Sequence, residues 1–135
     1  MISIHSIVAI LNMSKITEIS VVIPVKNEAG NIDSLVSEIH QSLKKFSYEI
    51  IYVNDGSEDN TELELKNNMK NNKKLRVLSH ENSQGQSAAL RTGIKASNSK
   101  LIATLDGDGQ NDPSDLPKMI DTCLLYTSPS PRDGD

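Results

Sequence analysis

The chain alternates short, β-branched apolar runs with longer stretches in which apolar residues recur every three or four positions. The run EISVVIPV at 18–25 predicts a first strand. Pro24 has no N–H for a ladder bond and marks where that strand is ending. Ile32, Leu35, Val36, Ile39, Leu43 and Phe46 then follow helical spacing and predict an amphipathic helix over about 31–45. YEIIYVN at 48–54 predicts a second strand, closed by Asp55-Gly56. Asp59, three residues before Glu62, reads as a capping box opening a more polar helix that runs to about residue 71. The Asn/Lys-rich stretch at 67–74 reads as a solvated helix end and turn. LRVLS at 75–79 predicts a third strand, and LIATL at 101–105 a fourth. Between them, 85–96 predicts a third helix with Ala88, Ala89, Leu90 and Ile94 making small and apolar contacts. Asp112-Pro113-Ser114-Asp115 opens a short helix with Leu116, Met119 and Ile120 inward.

Strands that alternate with helices predict an α/β fold: an open, mainly parallel sheet with helices on both faces. Its crossovers should be right-handed. The periodic pattern occupies 18–121. Residues 1–17 are mildly apolar but lack the charged start and cleavage site of a signal peptide. They are expected to be a disordered extension, with Met13 as an alternative start. After Thr122 the pattern collapses into a Ser/Pro alternation that can extend neither helix nor sheet, so 122–135 is expected to be a non-native or disordered tail.

Composition narrows the classes of partner. A length of 135 residues suits one domain. The hydrophobic share of 36% predicts a modest core. Phe46, Tyr48, Tyr52 and Tyr126 are the only aromatic residues, too few for a base-stacking platform. The net charge of −4 argues further against a nucleic-acid binder. An acidic protein that holds an anionic nucleotide needs a cation or helix N-termini between the two. Cys123 is the single cysteine, which excludes an internal disulfide and leaves a reducing, cytoplasmic setting as the default. No apolar run approaches the about 18 residues of a membrane span.

The polar signatures gather where the strands end. Strand one runs into Pro24-Val25-Lys26-Asn27-Glu28, strand two into Asn54-Asp55-Gly56-Ser57, and strand four into Asp106-Gly107-Asp108-Gly109-Gln110. In an open parallel sheet these all fall on the carboxyl edge, where ligands bind. Two Asp separated by one small residue can share a hard divalent cation, which completes its shell with water and substrate phosphates. Each cluster has a plainer reading by itself. Asn27 and Glu28 could open a helix, Asp55-Gly56 is an ordinary turn, and the Asp/Gly run could be a solvated loop. Their coincidence on one edge favours a site. Other motifs fit poorly. An EF-hand loop starting at Asp106 would need Gly at 111 and Glu at 117, where Asn111 and Pro117 stand. Neither a P-loop nor a G-x-G-x-x-G segment after strand one is present. His5, His40 and His80 show no ligand spacing and read as surface or structural residues.

The segments VVIPVKNE (21–28), VNDGSEDNT (53–61), GQSAALRTG (85–93) and LDGDGQNDP (105–113) together resemble glycosyltransferase family 2, the nucleotide-sugar transferases of the GT-A fold. Their wording resembles the branch around dolichyl-phosphate mannose synthase and its bacterial polyprenyl-phosphate relatives. The resemblance spans about 19–120 and implies the Rossmann-like, nucleotide-binding half of a GT-A domain. It implies that Pro24, Val25 and Glu28 surround the nucleoside and that Asp55 also holds it. It implies that Asp106 and Asp108, joined by Gln110, engage Mg²⁺ or Mn²⁺ and through it the donor diphosphate. The implied reaction moves a sugar from a UDP- or GDP-sugar, with inversion, onto a polyprenyl phosphate; the expected setting is the cytoplasm or the cytoplasmic face of a membrane, met by peripheral contact or through a missing C-terminal region.

In this family the acceptor half follows the metal motif, whereas here the chain continues for only 23 residues after Asp112. The expectation is therefore a truncated, donor-binding half, poorly active alone, with no assignable catalytic base. Two other classes remain open: a non-catalytic nucleotide-sugar binding module, and a phosphohydrolase with Asp106 as nucleophile. The latter usually carries its Asp pair after the first strand, not the fourth.

Overall fold

The computed structural model describes residues 17–108 and 112–118. Four strands, β1 (Ile19–Val25), β2 (Tyr48–Asp55), β3 (Leu75–His80) and β4 (Leu101–Thr104), form one sheet in the order β3-β2-β1-β4, all parallel. Three helices connect them: α1 (Ile32–Leu43), α2 (Thr61–Asn71) and α3 (Gln86–Ala96). A 3₁₀ turn, Pro113–Asp115, follows β4. The α/β architecture with helices on both faces is the one the sequence pattern predicts.

Side chains alternate across a strand, so each strand feeds two cores. Val21, Ile23 and Val25 of β1 join Ile50 and Tyr52 of β2 beneath α1, which buries Ile32, Leu35, Val36, Ile39 and Leu43, and beneath Leu65 of α2. Val22, Ile51 and Val53 face the other way, against Ala89 of α3. Burial on both faces explains why β1 and β2 read as nearly continuous apolar runs. Helix α3 sits close because Gly93 faces the sheet: a Cβ there would lie 2.4 Å from Val22 Cγ1.

Several boundaries differ from the expected ones, each for a local reason. Helix α1 stops at Leu43; the Phe46 N–H bonds to the Leu43 carbonyl (2.9 Å), and the turn lays Phe46 on the core. Strand β2 runs on to Asp55 and β3 to His80, because their ends pair as register partners. Strand β4 ends at Thr104, one residue early. The capping box at Asp59 does not form. Asp59 accepts from Thr61 N (2.9 Å) and from Ala29 N (3.2 Å), which turns it toward the loop after β1, and α2 opens at Asn60 without a side-chain cap. The expected short helix opens as a 3₁₀ turn, capped by Asp112 Oδ1 accepting from Ser114 N, and is α-helical over 116–118, with Leu116 buried. Met119, Ile120, Met13 and the tail 122–135 lie outside the described residues, as does the extension apart from Thr17.

The topology fixes where a ligand can enter. The chain steps outward from β1 to β2 to β3, then crosses back to place β4 on the far side of β1. The strand order therefore reverses between β1 and β4, and the loops leaving their carboxyl ends diverge to leave a crevice.

Candidate functional site

A cleft of about 460 Å³ opens at that crevice. Pro24, Val25, Glu28, Asp55, Asp106 and Asp108 all line it, so the residues singled out after three different strands meet in one place. Gln110 lies outside the described residues.

The loop after β1 is held from the side. Four successive backbone N–H groups donate to side chains that follow β2: Asn27 to Ser57 Oγ (2.9 Å), Glu28 to Thr61 Oγ1 (2.9 Å), Ala29 to Asp59, and Gly30 to Glu64 Oε1 (2.9 Å). Asn27 takes a positive φ of 56° and returns the tie by accepting from Glu58 N (2.8 Å). Asn tolerates that left-handed conformation better than most residues. Asn27 and Glu28 thus precede the helix instead of opening it, since α1 begins at Ile32. Glu28 accepts from Asn31 Nδ2 (2.9 Å), which braces its carboxylate at the cleft.

Asp55 is the most enclosed acid of the group, 4% exposed. Its Oδ1 receives His80 Nδ1 (2.8 Å) and Gln84 N (2.8 Å); its Oδ2 receives Gly85 N (2.9 Å) and Ser83 Oγ (3.0 Å). Burial alone would raise its pKa, but these donors outweigh it and hold the carboxyl at about 2. Gly56, next along, has φ of 71°, and a Cβ there would lie 2.6 Å from Ser83 N. Only glycine lets the β2 and β3 loops approach this closely.

Asp106 and Asp108 are exposed on the opposite wall. Gly107 between them is buried against β1, where a Cβ would fall 2.4 Å from Val25 Cγ1 and 3.2 Å from the Pro24 carbonyl oxygen. The small residue is therefore required by packing, and the packing pins both carboxylates at the mouth of the cleft. Gln86, at the start of α3, reaches across to Asp106 Oδ1 (3.3 Å). Among the described residues no group of three or more His, Cys, Asp or Glu gathers as a metal cage. A pair of hard oxygen donors beside an open cleft fits Mg²⁺ or Mn²⁺, which take one or two carboxylates and leave the rest of the shell to water and phosphate.

Sequence reasoning missed Ser83, Gln86 and the partnership of His80 with Asp55. The signal for His80 was positional: it ends β3 where Asp55 ends β2, and the two are register partners.

Comparison with known proteins decides the family. The model of glycosyl transferase family 2 matches residues 20–123. The chain belongs to glycosyl transferase family 2. Among this family's curated members it is 36% identical over 106 residues to dodecaprenyl-phosphate galacturonate synthase of Rhizobium johnstonii, covering 76% of this chain and 31% of that protein. It is 37% identical over 112 residues to undecaprenyl-phosphate 4-deoxy-4-formamido-L-arabinose transferase of Proteus mirabilis, covering 80% and 34%. It is 32% identical over 104 residues to dolichol-phosphate mannosyltransferase of Pyrococcus furiosus, covering 77% and 29%. The chain thus spans about a third of the length of these relatives. The fold is shared with a Pyrobaculum calidifontis mannosyltransferase in complex with GDP-Man and Mn²⁺ (TM-score 0.68, 18% identity, 84% of this chain and 33% of that one). It is shared too with Mycobacterium tuberculosis glucosyl-3-phosphoglycerate synthase in complex with Mn²⁺ and UDP (TM-score 0.64, 27% identity, 82% and 40%). The sheet and its helices thus share the GT-A fold over about a third of those chains. No helix among the described residues is long and apolar enough to cross a membrane.

Proposed function

We propose that this glycosyltransferase family 2 chain carries the donor-binding half of a metal-dependent, inverting transferase that moves a sugar from a nucleotide-diphosphate sugar to a polyprenyl phosphate. The observation that carries the reading is the convergence of Glu28, Asp55, Asp106 and Asp108 on one cleft at the strand-order reversal. The names of the relatives support the lipid-phosphate acceptor. The GDP-Man and UDP complexes of the neighbouring structures support the donor class.

Pro24, Val25 and Glu28 form the nucleoside wall: two apolar surfaces and one braced carboxylate able to accept from a ribose hydroxyl or base N–H. Asp55 serves the same wall from behind. Asp106 and Asp108, joined by Gln110, would hold Mg²⁺ or Mn²⁺ against the diphosphate. Bound there, the cation supplies Lewis-acid stabilisation of the charge that builds on the leaving diphosphate. A lipid phosphate acceptor is already anionic at neutral pH and needs no strong protein base. Acceptor recognition is assigned to the part of the relatives that the match does not cover, and residues 1–135 by themselves are expected to bind donor with little transfer.

Calorimetric titration with UDP- and GDP-sugars tests this, with and without Mn²⁺. Binding is expected to need the cation and to weaken at least about tenfold in Asp106→Asn or Asp108→Asn, as loss of a charged contact implies. Cation-independent binding that both variants retain would remove the metal role. Transfer at full rate by this chain would overturn the division between donor and acceptor halves.

A further inference from the structure

Thr61 is fully buried at the start of α2, although its side chain is polar. Its hydroxyl donates to Asp59 Oδ1 (2.5 Å), because an ionised carboxylate only accepts. The lone pairs of Oγ1 are thereby left for the Glu28 N–H, which donates to it (2.9 Å). Asp59 is oriented in turn by the Thr61 N–H on Oδ1 (2.9 Å), and its Oδ2 accepts from Ala29 N (3.2 Å). The two residues form one unit that grips two successive amides of the loop after β1. Ser57 takes the amide before them, and Glu64 takes the amide after them through both carboxylate oxygens (2.9 and 3.1 Å).

The gripped run has a left-handed residue at each end, Asn27 (φ 56°) and Gly30 (φ 94°). Successive N–H groups in such a turn point into one concavity that attracts anions. Side chains of 57–64 fill it, so all four amides from 27 to 30 are satisfied within the chain. Neither Thr61 nor Asp59 lines the cleft, but Glu28 does. The Glu28 stem also passes Gly107, where an added Cβ would lie 3.5 Å from its Cγ. The backbone of 27–30 therefore sets where the Glu28 carboxylate stands relative to the turn that carries Asp106 and Asp108.

We propose that Thr61 and Asp59 are positioning residues: they hold the backbone of 27–30 in its turn and so pre-organise the Glu28 side of the cleft for a nucleotide sugar. The proposal rests on the donor-binding reading of the cleft, and the two can fail separately.

The test compares wild type, Thr61→Val, Thr61→Ser and Asp59→Ala in the full chain, with Glu49→Ala at the amino ends of the strands as a control. Two quantities are measured: backbone amide hydrogen exchange, and affinity for UDP- and GDP-sugars in Mn²⁺ by calorimetry. Valine keeps the shape of threonine and removes the acceptor, which strands the Glu28 N–H at a buried position. Exchange at Glu28 and Ala29 is expected to speed by about tenfold or more, while β1 amides keep their protection. Affinity should fall by about tenfold, because the loop must then be ordered on binding. Serine keeps the hydroxyl and should stay within about twofold of wild type in both readouts. Asp59→Ala should speed exchange at Ala29 and weaken binding, and Glu49→Ala should leave both unchanged. Wild-type exchange at Glu28 in Thr61→Val would overturn the proposal. So would wild-type affinity despite faster exchange, equal losses in valine and serine, or the same affinity loss in Glu49→Ala. Asp59 is exposed, so Asp59→Ala decides by the same two readouts if Thr61→Val does not fold. If wild type binds neither nucleotide sugar, the donor reading fails, and the exchange rates still decide whether Thr61 and Asp59 hold the loop.

Discussion

The two edges of the sheet are both polar, yet they are built differently. At the amino edge, Ser20 donates to Glu49 Oε2 (2.5 Å), Ser97 donates to Ser20 (2.6 Å), and Ser99 lies 2.8 Å from Ser20 Oγ. Arg76 bridges Glu49 (3.1 Å) and donates to the Ala96 carbonyl (2.7 Å). Nearby, His40 meets Tyr48 Oη and Asn72, and the Lys74 ammonium stands 4.3 Å over the Tyr48 ring. These groups satisfy one another. At the carboxyl edge Asp55 is closed in this way, while Glu28, Asp106 and Asp108 line a cleft. Polar side chains at a strand end are thus not evidence of a site by themselves. A cleft that brings their charges to face a shared volume is.

The sharpest way to break the contrast is at Asp55, which belongs to the carboxyl edge but is bonded like the amino one. Asp55→Ala strands two backbone N–H groups and His80, and is expected to cost about 3 kcal/mol of stability in denaturant unfolding. A loss below about 1 kcal/mol would mean that water replaces the carboxylate without penalty. At the other edge, Glu49→Ala should cost about 1–2 kcal/mol by removing a part-buried partner of Ser20 and Arg76. Donor affinity should stay at the wild-type value, and a drop would show that the edges are coupled.

Acid should separate the edges by their titration windows. Burial, assisted by the Lys74 charge, lowers the His40 pKa below its usual 6.5. The fold therefore favours neutral His40, and stability should decline as pH falls below that value. The Asp55 pKa is lowered from 3.8 to about 2, so its contribution is complete above 3.8 and is lost as pH falls through about 2. Unfolding free energy measured against pH should show the first decline disappear in His40→Gln and the second remain. The smallest effect is expected at Tyr52. Its hydroxyl is buried with no hydrogen-bond partner among the described residues, and burial pushes its pKa upward. Tyr52→Phe should change stability by no more than about 1 kcal/mol, and toward greater stability, because it removes an unsatisfied polar group. Destabilisation would reveal a partner for that hydroxyl.

Much of this was legible in the chain because period and burial are local signals. Each strand of the sheet was visible as a short run with apolar residues, and α1 as a repeat with Ile32, Leu35, Val36, Ile39 and Leu43 on one face. The clustering of Glu28, Asp55, Asp106 and Asp108 followed from parallel strands alone, since carboxyl ends then share an edge. The capping box failed because Asp59 found a competing donor, Ala29 N, thirty residues away. His80 was passed over because its partner lies 25 residues upstream and meets it only through strand register.

By itself, then, the sequence determined the α/β class, the succession of elements, the family and the edge on which chemistry gathers. These depend on side-chain periodicity and on motifs read along the chain. Only the tertiary structure decided the order β3-β2-β1-β4, the reversal that opens the cleft, and the enclosure of Asp55 beside the exposed Asp106 and Asp108. The reason is physical. Whether a carboxylate is saturated by neighbours or presented to a ligand depends on which donors the packed loops bring within about 3 Å of it, and those donors come from distant parts of the chain.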